Sequence, residues 1–212
     1  FSSDTTPGYI KAYNAGSDMN ISFAYTGDNV FPSRYSTAFC YFPTSLDADY
    51  PGSPGDMWLN AGNSFIWTQA NYNPGGNGFY LVLHEALHGL GLKHPHDDGG
   101  TGRPTYTQLG LKYFDRQWFS VMSYDRAETG GDTAYSGSMP KTPMLFDVVA
   151  LQDLYGESRS HADNDTYDMA LHLGNWYETI WDSGGYDRLD FSSYNRDGVA
   201  VFLGGFNNLE LP

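Results

Sequence analysis

Four of the six histidines fall within "LVLHEALHGLGLKHPHD", Leu81 to Asp97, together with one glutamate and two glycines. His84 and His88 are four apart, so on a helix both imidazoles project from one face about one turn apart. That separation suits two ligands of a single tetrahedral zinc ion. Glu85, the next residue, points around the helix, near such a metal without being a ligand. A carboxylate so placed can take the proton of a water that the metal has acidified. His94 comes ten residues after His84, too far along a straight helix to reach the same ion. Gly91 resolves this, because glycine adopts the positive φ that turns the chain and returns His94 to the metal. A lone histidine on an apolar helix face is more often a packing residue. Here five positions are specified together, and the pattern is a zinc signature. A catalytic tetrahedral site keeps one position for water, so His96 is expected to stand aside in a solvated loop. His161 and His172 lack a motif and are expected to be surface or packing residues.

The elements that must hold these side chains follow from periodicity. Phe79, Leu83, Leu87 and Leu90 fall at helical spacing and predict a helix over Phe79 to Leu90, ended by Gly91. A second helix is expected from about Pro143 to Tyr155, with Gly156 as its stop. Upstream, "MNISFAYTG" (Met19 to Gly27), "STAFCYF" and "GDMWLNAG" read as short strands separated by proline and glycine. Thr101 to Ser138 and the tail after Glu157 read as mostly irregular, and loops this long in a compact domain are usually functional or ordered by metal.

Composition narrows the classes of function. The 212 residues suit one domain, with about 1–90 as an upper lobe and 91–212 as a lower lobe. A formal charge of −14 disfavours nucleic acid as a partner. No apolar run has the length of a membrane span, and without a leader segment the chain is expected to be a mature or trimmed form. Of the 25 acidic residues 20 are aspartate, a composition of turns rather than helices, and such turns often hold Ca²⁺. Cys40, the single cysteine, excludes an internal disulfide and is expected to be a buried structural thiol.

The extended histidine pattern is the metzincin zinc signature, which is accompanied by a downstream methionine turn. "SVMSYD" supplies one, with Met122 some thirty residues after His94. Together with "PTYTQLGLKYFDRQWFSVMSY", "MLFDVVALQDLYG" and "TIWDSGGYDRLDFSSY", these motifs resemble the serralysins, secreted bacterial metzincin proteases, from about Asp56 to Tyr194. The resemblance implies an α+β, metzincin-like zincin domain. Its parts would be a twisted mixed β-sheet, an active-site helix, a Met-turn and a C-terminal helix. It further implies zinc on His84, His88 and His94, Glu85 as general base, and Met122 as an apolar floor below the imidazoles. Tyr124, two residues after the methionine, would bind zinc or swing away to stabilise the transition state. "GDMWLN" resembles the edge strand above the family's cleft, on which an extended peptide would pair.

The turn "DSGGYD" matches a calcium-binding turn of that family, with Asp182, Gly184 and Asp187 as ligands. The upstream loop "ESRSHADNDTYD" departs from the family pattern, leaving Arg159, Asp163 or Thr166 as its contributors. Serralysins usually continue into a calcium-binding roll of repeats, whereas this sequence stops at Pro212. The expected function is a secreted, monomeric zinc endopeptidase acting on extended polypeptides, with a proteinaceous inhibitor as a further partner and neither nucleic acid nor membrane. The alternative is a catalytically weak zinc- and calcium-bound binding or surface-layer component. The walls of the substrate pocket are expected to come from loops such as Asp125 to Pro140.

Overall fold

The computed structural model describes residues 9–11, 21–24, 36–43, 54–62, 68–126, 138–195 and 201. Its first layer is a mixed sheet of β1 (Tyr9–Lys11), β2 (Ile21–Ala24), β3 (Ala38–Cys40) and β4 (Met57–Asn60), in the order β1-β2-β4-β3. β2 and β4 run parallel, and β1 and β3 lie antiparallel to their neighbours. The strands expected in "STAFCYF" and "GDMWLNAG" are therefore present. The one expected over Met19 to Gly27 is present as β2, and its remaining residues lie outside those described.

"GDMWLN" is not an edge strand. β4 is hydrogen-bonded on both sides, and all four of its residues are buried. Its uncharged, bulky sequence fits a sheet interior. Among the described residues β3 ends the sheet on that side. In β2 the small Ser22 and Ala24 are fully buried, whereas Ile21 and Phe23 are 39% and 45% exposed. The register explains the inversion. Ser22 lies opposite Trp58, and the indole fills the space beside Ala24 and stacks against Phe39 of β3. A larger inward residue would compete with that indole for the same volume.

α1 (Asn77–Gly89) packs along β3 and β4. It ends in two interlocking hydrogen bonds, Gly91 N–H to His88 O at 2.8 Å and Leu92 N–H to Leu87 O at 2.9 Å. With Gly91 at φ 99°, this is the glycine stop that the sequence led one to expect. Leu87 and Leu92 on either side of the stop join Val121, Met122 and Met144 in one buried cluster. α2 (Leu145–Tyr155) closes that cluster through Ala150 and Leu151. It starts two residues after Pro143, since Met144 is still extended and donates its N–H to the Asp147 carboxylate at 2.8 Å. Gly156, at φ 86°, ends it as expected.

The tail is less irregular than expected. β5 (Met139–Pro140) pairs in parallel with β7 (Trp176–Tyr177), and β6 (Thr166–Asp168) with β8 (Arg188–Asp190). A single helical turn, α3 (Met169–His172), follows β6. Elements of two to four residues are too short to imprint a period on the sequence. Residues 101–126 are turns with one 3₁₀ segment, Lys112–Phe114. Most of the loop Asp125 to Pro140 lies outside the described residues. Cys40 is half-buried with its thiol 3.4 Å from Gly55 O, and burial pushes its pKa up to about 12, so it is an unreactive thiol. Among the described residues no helix is long and apolar enough to cross a membrane.

Candidate metal centre

α1 carries His84 and His88 on its buried face, 3% and 8% exposed, and the Gly91 turn brings His94 against both. His94 Nε2 lies 3.1 Å from His84 Nε2 and 3.0 Å from His88 Nε2. The opposite nitrogen of each ring faces an acceptor. His84 Nδ1 is 2.9 Å from Val121 O, His88 Nδ1 2.7 Å from Leu92 O, and His94 Nδ1 2.9 Å from Asp97 Oδ2. Carbonyls and carboxylates cannot donate, so each Nδ1 must carry the hydrogen. The three Nε2 lone pairs are left pointing together.

Burial holds the His84 pKa down at about 3 and the His88 pKa at about 4, with the neighbouring imidazoles adding to the effect. Burial also lowers the pKa of His94, against the pull of Asp97. Three neutral rings whose lone pairs meet at about 3 Å repel one another unless a cation lies between them. Two nitrogens bound to one tetrahedral zinc at about 2.0–2.1 Å would stand about 3.3 Å apart, close to the spacing observed. The donor set and the anchored outer nitrogens therefore fit a single zinc ion.

Glu85 is 5% exposed, and its Oε2 has no hydrogen-bond partner. Burial raises this carboxyl to about 8. An unpartnered buried carboxyl beside converging imidazoles is costly as packing, and it suits a group that exchanges protons with a bound molecule. Tyr124 covers the centre from the solvent side and is 61% exposed, its ring 5.6 Å from His84 and 4.5 Å from His94. Burial and the nearby Glu85 push its hydroxyl up to about 12, so it is a donor at neutral pH. His96 is exposed on its loop, as expected, yet it does not stand apart from the centre. It stacks on His94 at 4.9 Å and meets Tyr124 at 4.7 Å, because Pro95 is buried and the loop folds back over the third histidine.

The turn at 120–123 packs against α1 beside the centre, where Val121 O faces His84 Nδ1. Met122 is 1% exposed and packs with Leu87 and Val121. Asp147 of α2 accepts from Ser120 Oγ and Val121 N, both at 2.7 Å, as well as from Met144 N. Burial raises the Asp147 carboxyl to about 6 against those three bonds. From the other side Tyr80 donates to Val121 O and Ser123 O. The Val121 backbone thus links Asp147, at its N–H, to His84, at its carbonyl. Sequence reasoning passed over Asp147, although a single acid in the apolar run "MLFDVVAL" was a signal available in the sequence. It also passed over Asp97, whose role depends on how the loop folds.

The aspartate turn is a separate cluster. Asp182 and Asp187 come together with Asp165, which sequence reasoning missed. Gly184 contributes its N–H to Asp182 Oδ1, Tyr167 donates to Asp182 Oδ2, and Asp165 N–H donates to Asp187 Oδ1. The loop 158–166 does lie against the turn. Ser183 bonds Ser160 O, Tyr186 N bonds Asn164 Oδ1, and the Asp163 carbonyl leaves no room for a side chain at Gly185. Thr166 pairs with Arg188 across β6 and β8. Arg159 is exposed and outside the cluster. His161 and His172 line a neighbouring cavity, His172 with its Nδ1 3.1 Å from Glu178 Oε1.

Comparison with known proteins bears on the same reading. Metalloprotease AprA of Pseudomonas entomophila is 33% identical over 202 residues, covering 86% of this chain and 39% of that protein. The chain is a relative of the serralysins. Serralysin C of Dickeya chrysanthemi is 34% identical over 189 residues, 81% of this chain and 37% of its own. Serralysin B of the same organism is 31% identical over 208 residues, 90% of this chain and 41% of its own. The serralysin likeness expected from the motifs thus holds over four fifths or more of the chain. The chain spans about two fifths of the length of these serralysin relatives. No family model matches it.

Proposed function

We propose that the chain is the catalytic domain of a secreted zinc endopeptidase that cleaves extended polypeptides. The observation that carries this reading is the convergence of three anchored Nε2 atoms beside the unpartnered carboxyl of Glu85. Kinship with serralysins and a metalloprotease supports it. His84, His88 and His94 would hold zinc, which when bound would acidify a water and polarise the scissile carbonyl. Glu85 takes the proton from the attacking water at its free oxygen and delivers it to the leaving amine. Tyr124 donates a hydrogen bond to the oxyanion that develops during attack, and its exposed position over the centre leaves it room to move. Met122 and the turn pinned by Asp147 form the Met-turn floor, with α2 as the C-terminal helix.

On this reading residues 1–212 form one catalytic domain whose cleft divides an upper lobe, about 1–90, from a lower lobe. Asp182, Gly184 and Asp187, now joined by Asp165, are the proposed calcium ligands, and the ion stabilises the lower lobe. Partners are polypeptide substrates and a proteinaceous inhibitor, with the chain acting as a monomer. A buried, unpartnered Glu85 disfavours the reading of a catalytically weak binding component, where nothing would offset its cost. The test is digestion of a peptide library. Cleavage should stop on chelation and return with zinc; a zinc-loaded chain that leaves the library intact would remove the reading.

A further inference from the structure

The loop that returns His94 to the centre also carries a second donor pair facing outward. His96 Nε2 lies 3.5 Å from Asp97 Oδ2. That is the outer limit of a hydrogen bond, yet close to the roughly 3.3 Å that separates two ligands of one tetrahedral zinc. Asp97 is already held in place, Oδ1 accepting from Gly99 N at 2.8 Å and Oδ2 from His94 Nδ1 at 2.9 Å. A carboxylate oxygen has a second acceptor site beyond the one His94 occupies. The His96 ring is fixed in turn by its stack on His94, with 10° between the planes, and by the Tyr124 ring.

We propose that His96 Nε2 and Asp97 Oδ2 bind a second transition-metal cation, of the zinc class, on the outer side of His94, and that this ion slows peptide hydrolysis. An imidazole with one carboxylate selects Zn²⁺, Cu²⁺ or Ni²⁺ over Ca²⁺ and Mg²⁺. The net charge of −14 draws cations toward the chain, and water completes the coordination of an ion held by two protein atoms. Slowing has two sources. Charge placed on Asp97 weakens its bond to His94, the contact that orients that ring. The ion also stands beside Tyr124, obstructing the movement assigned to its hydroxyl. The binding rests only on the loop geometry, whereas the inhibition rests on the peptidase reading above.

Equilibrium dialysis of the zinc-stripped full chain against rising zinc, with calcium saturating, tests both parts. Wild type is expected to take up two equivalents and His96→Ala one, and wild-type hydrolysis to fall as the second equivalent fills while that of the variant does not. His96 is exposed, so the substitution leaves the buried framework intact. A wild type saturating at one equivalent overturns the site, and so does a His96→Ala chain that still binds two. Loss of the second equivalent in His96→Ala without any zinc-dependent slowing of wild type overturns the inhibition alone. Two equivalents in wild type and one in the variant, with neither cleaving peptides, supports the site while refuting the peptidase reading.

Discussion

In the histidine centre the lone pairs of three neutral rings converge, and each ring is anchored from behind by a carbonyl or a carboxylate. In the aspartate cluster three like charges converge at the surface, and the oxygens of Asp182 and Asp187 accept bonds from Tyr167, Gly184 and Asp165 N–H. The first arrangement is preorganised by the core, because Leu87, Leu92 and Val121 belong to the buried cluster as well as to the residues that place the ligands. The second is held by hydrogen bonds among loops and by the short β6 and β8 pair. Burial lowers the His84 and His88 pKa values, whereas the Tyr167 hydroxyl is the main influence holding Asp182 below the usual carboxylate range. A cation at the histidines would meet ligands set for chemistry, and one at the aspartates would chiefly relieve repulsion and tie loops together.

Several substitutions separate the two regions. The largest effect is expected from His88→Ala, which removes a converging donor. Zinc analysis after dialysis should find the metal lost, and peptide cleavage should vanish with it. If His88→Ala keeps its zinc, the metal lies elsewhere. Next comes Tyr124→Phe, which should lower kcat about 100-fold, the usual cost of one oxyanion donor, with zinc affinity unchanged. Unaltered kcat would remove Tyr124 from the reaction. Asp147→Ala strips the acceptor from two backbone N–H groups and one hydroxyl and should cost about 3 kcal/mol in urea unfolding. It should also weaken zinc binding, because Val121 carries His84. Calcium removal is the mildest. At constant zinc it should lower Tm by about 2–4 °C per kcal/mol of lost binding, while kcat stays near its starting value. An unchanged Tm would leave the aspartate cluster without an ion.

Legibility in the sequence divides along the same line. His84, Glu85, His88 and Gly91 were readable because a helical period and one glycine stop fix their geometry locally. Tyr124 and Met122 were readable only through family resemblance, since nothing local shows that the 120–123 turn lies under α1. Asp97, Asp147 and Asp165 were missed because each acts through a contact that loop folding or helix docking creates. The central position of β4 was hidden for a related reason. Strand order is a long-range property, and four buried residues read the same way whether one or both sides are paired.

Hydrolysis of a peptide mixture by wild type and Glu85→Gln, compared at matched zinc content by mass spectrometry, bears most directly on the centre. The substitution keeps the shape of the side chain and leaves the three histidines in place while removing its basicity. At one zinc per chain, wild type should cleave and Glu85→Gln should be slower by about 10²–10⁴-fold or more. Cleavage by Glu85→Gln at a rate near that of wild type would contradict the assignment of Glu85 as the base and the mechanism built upon it.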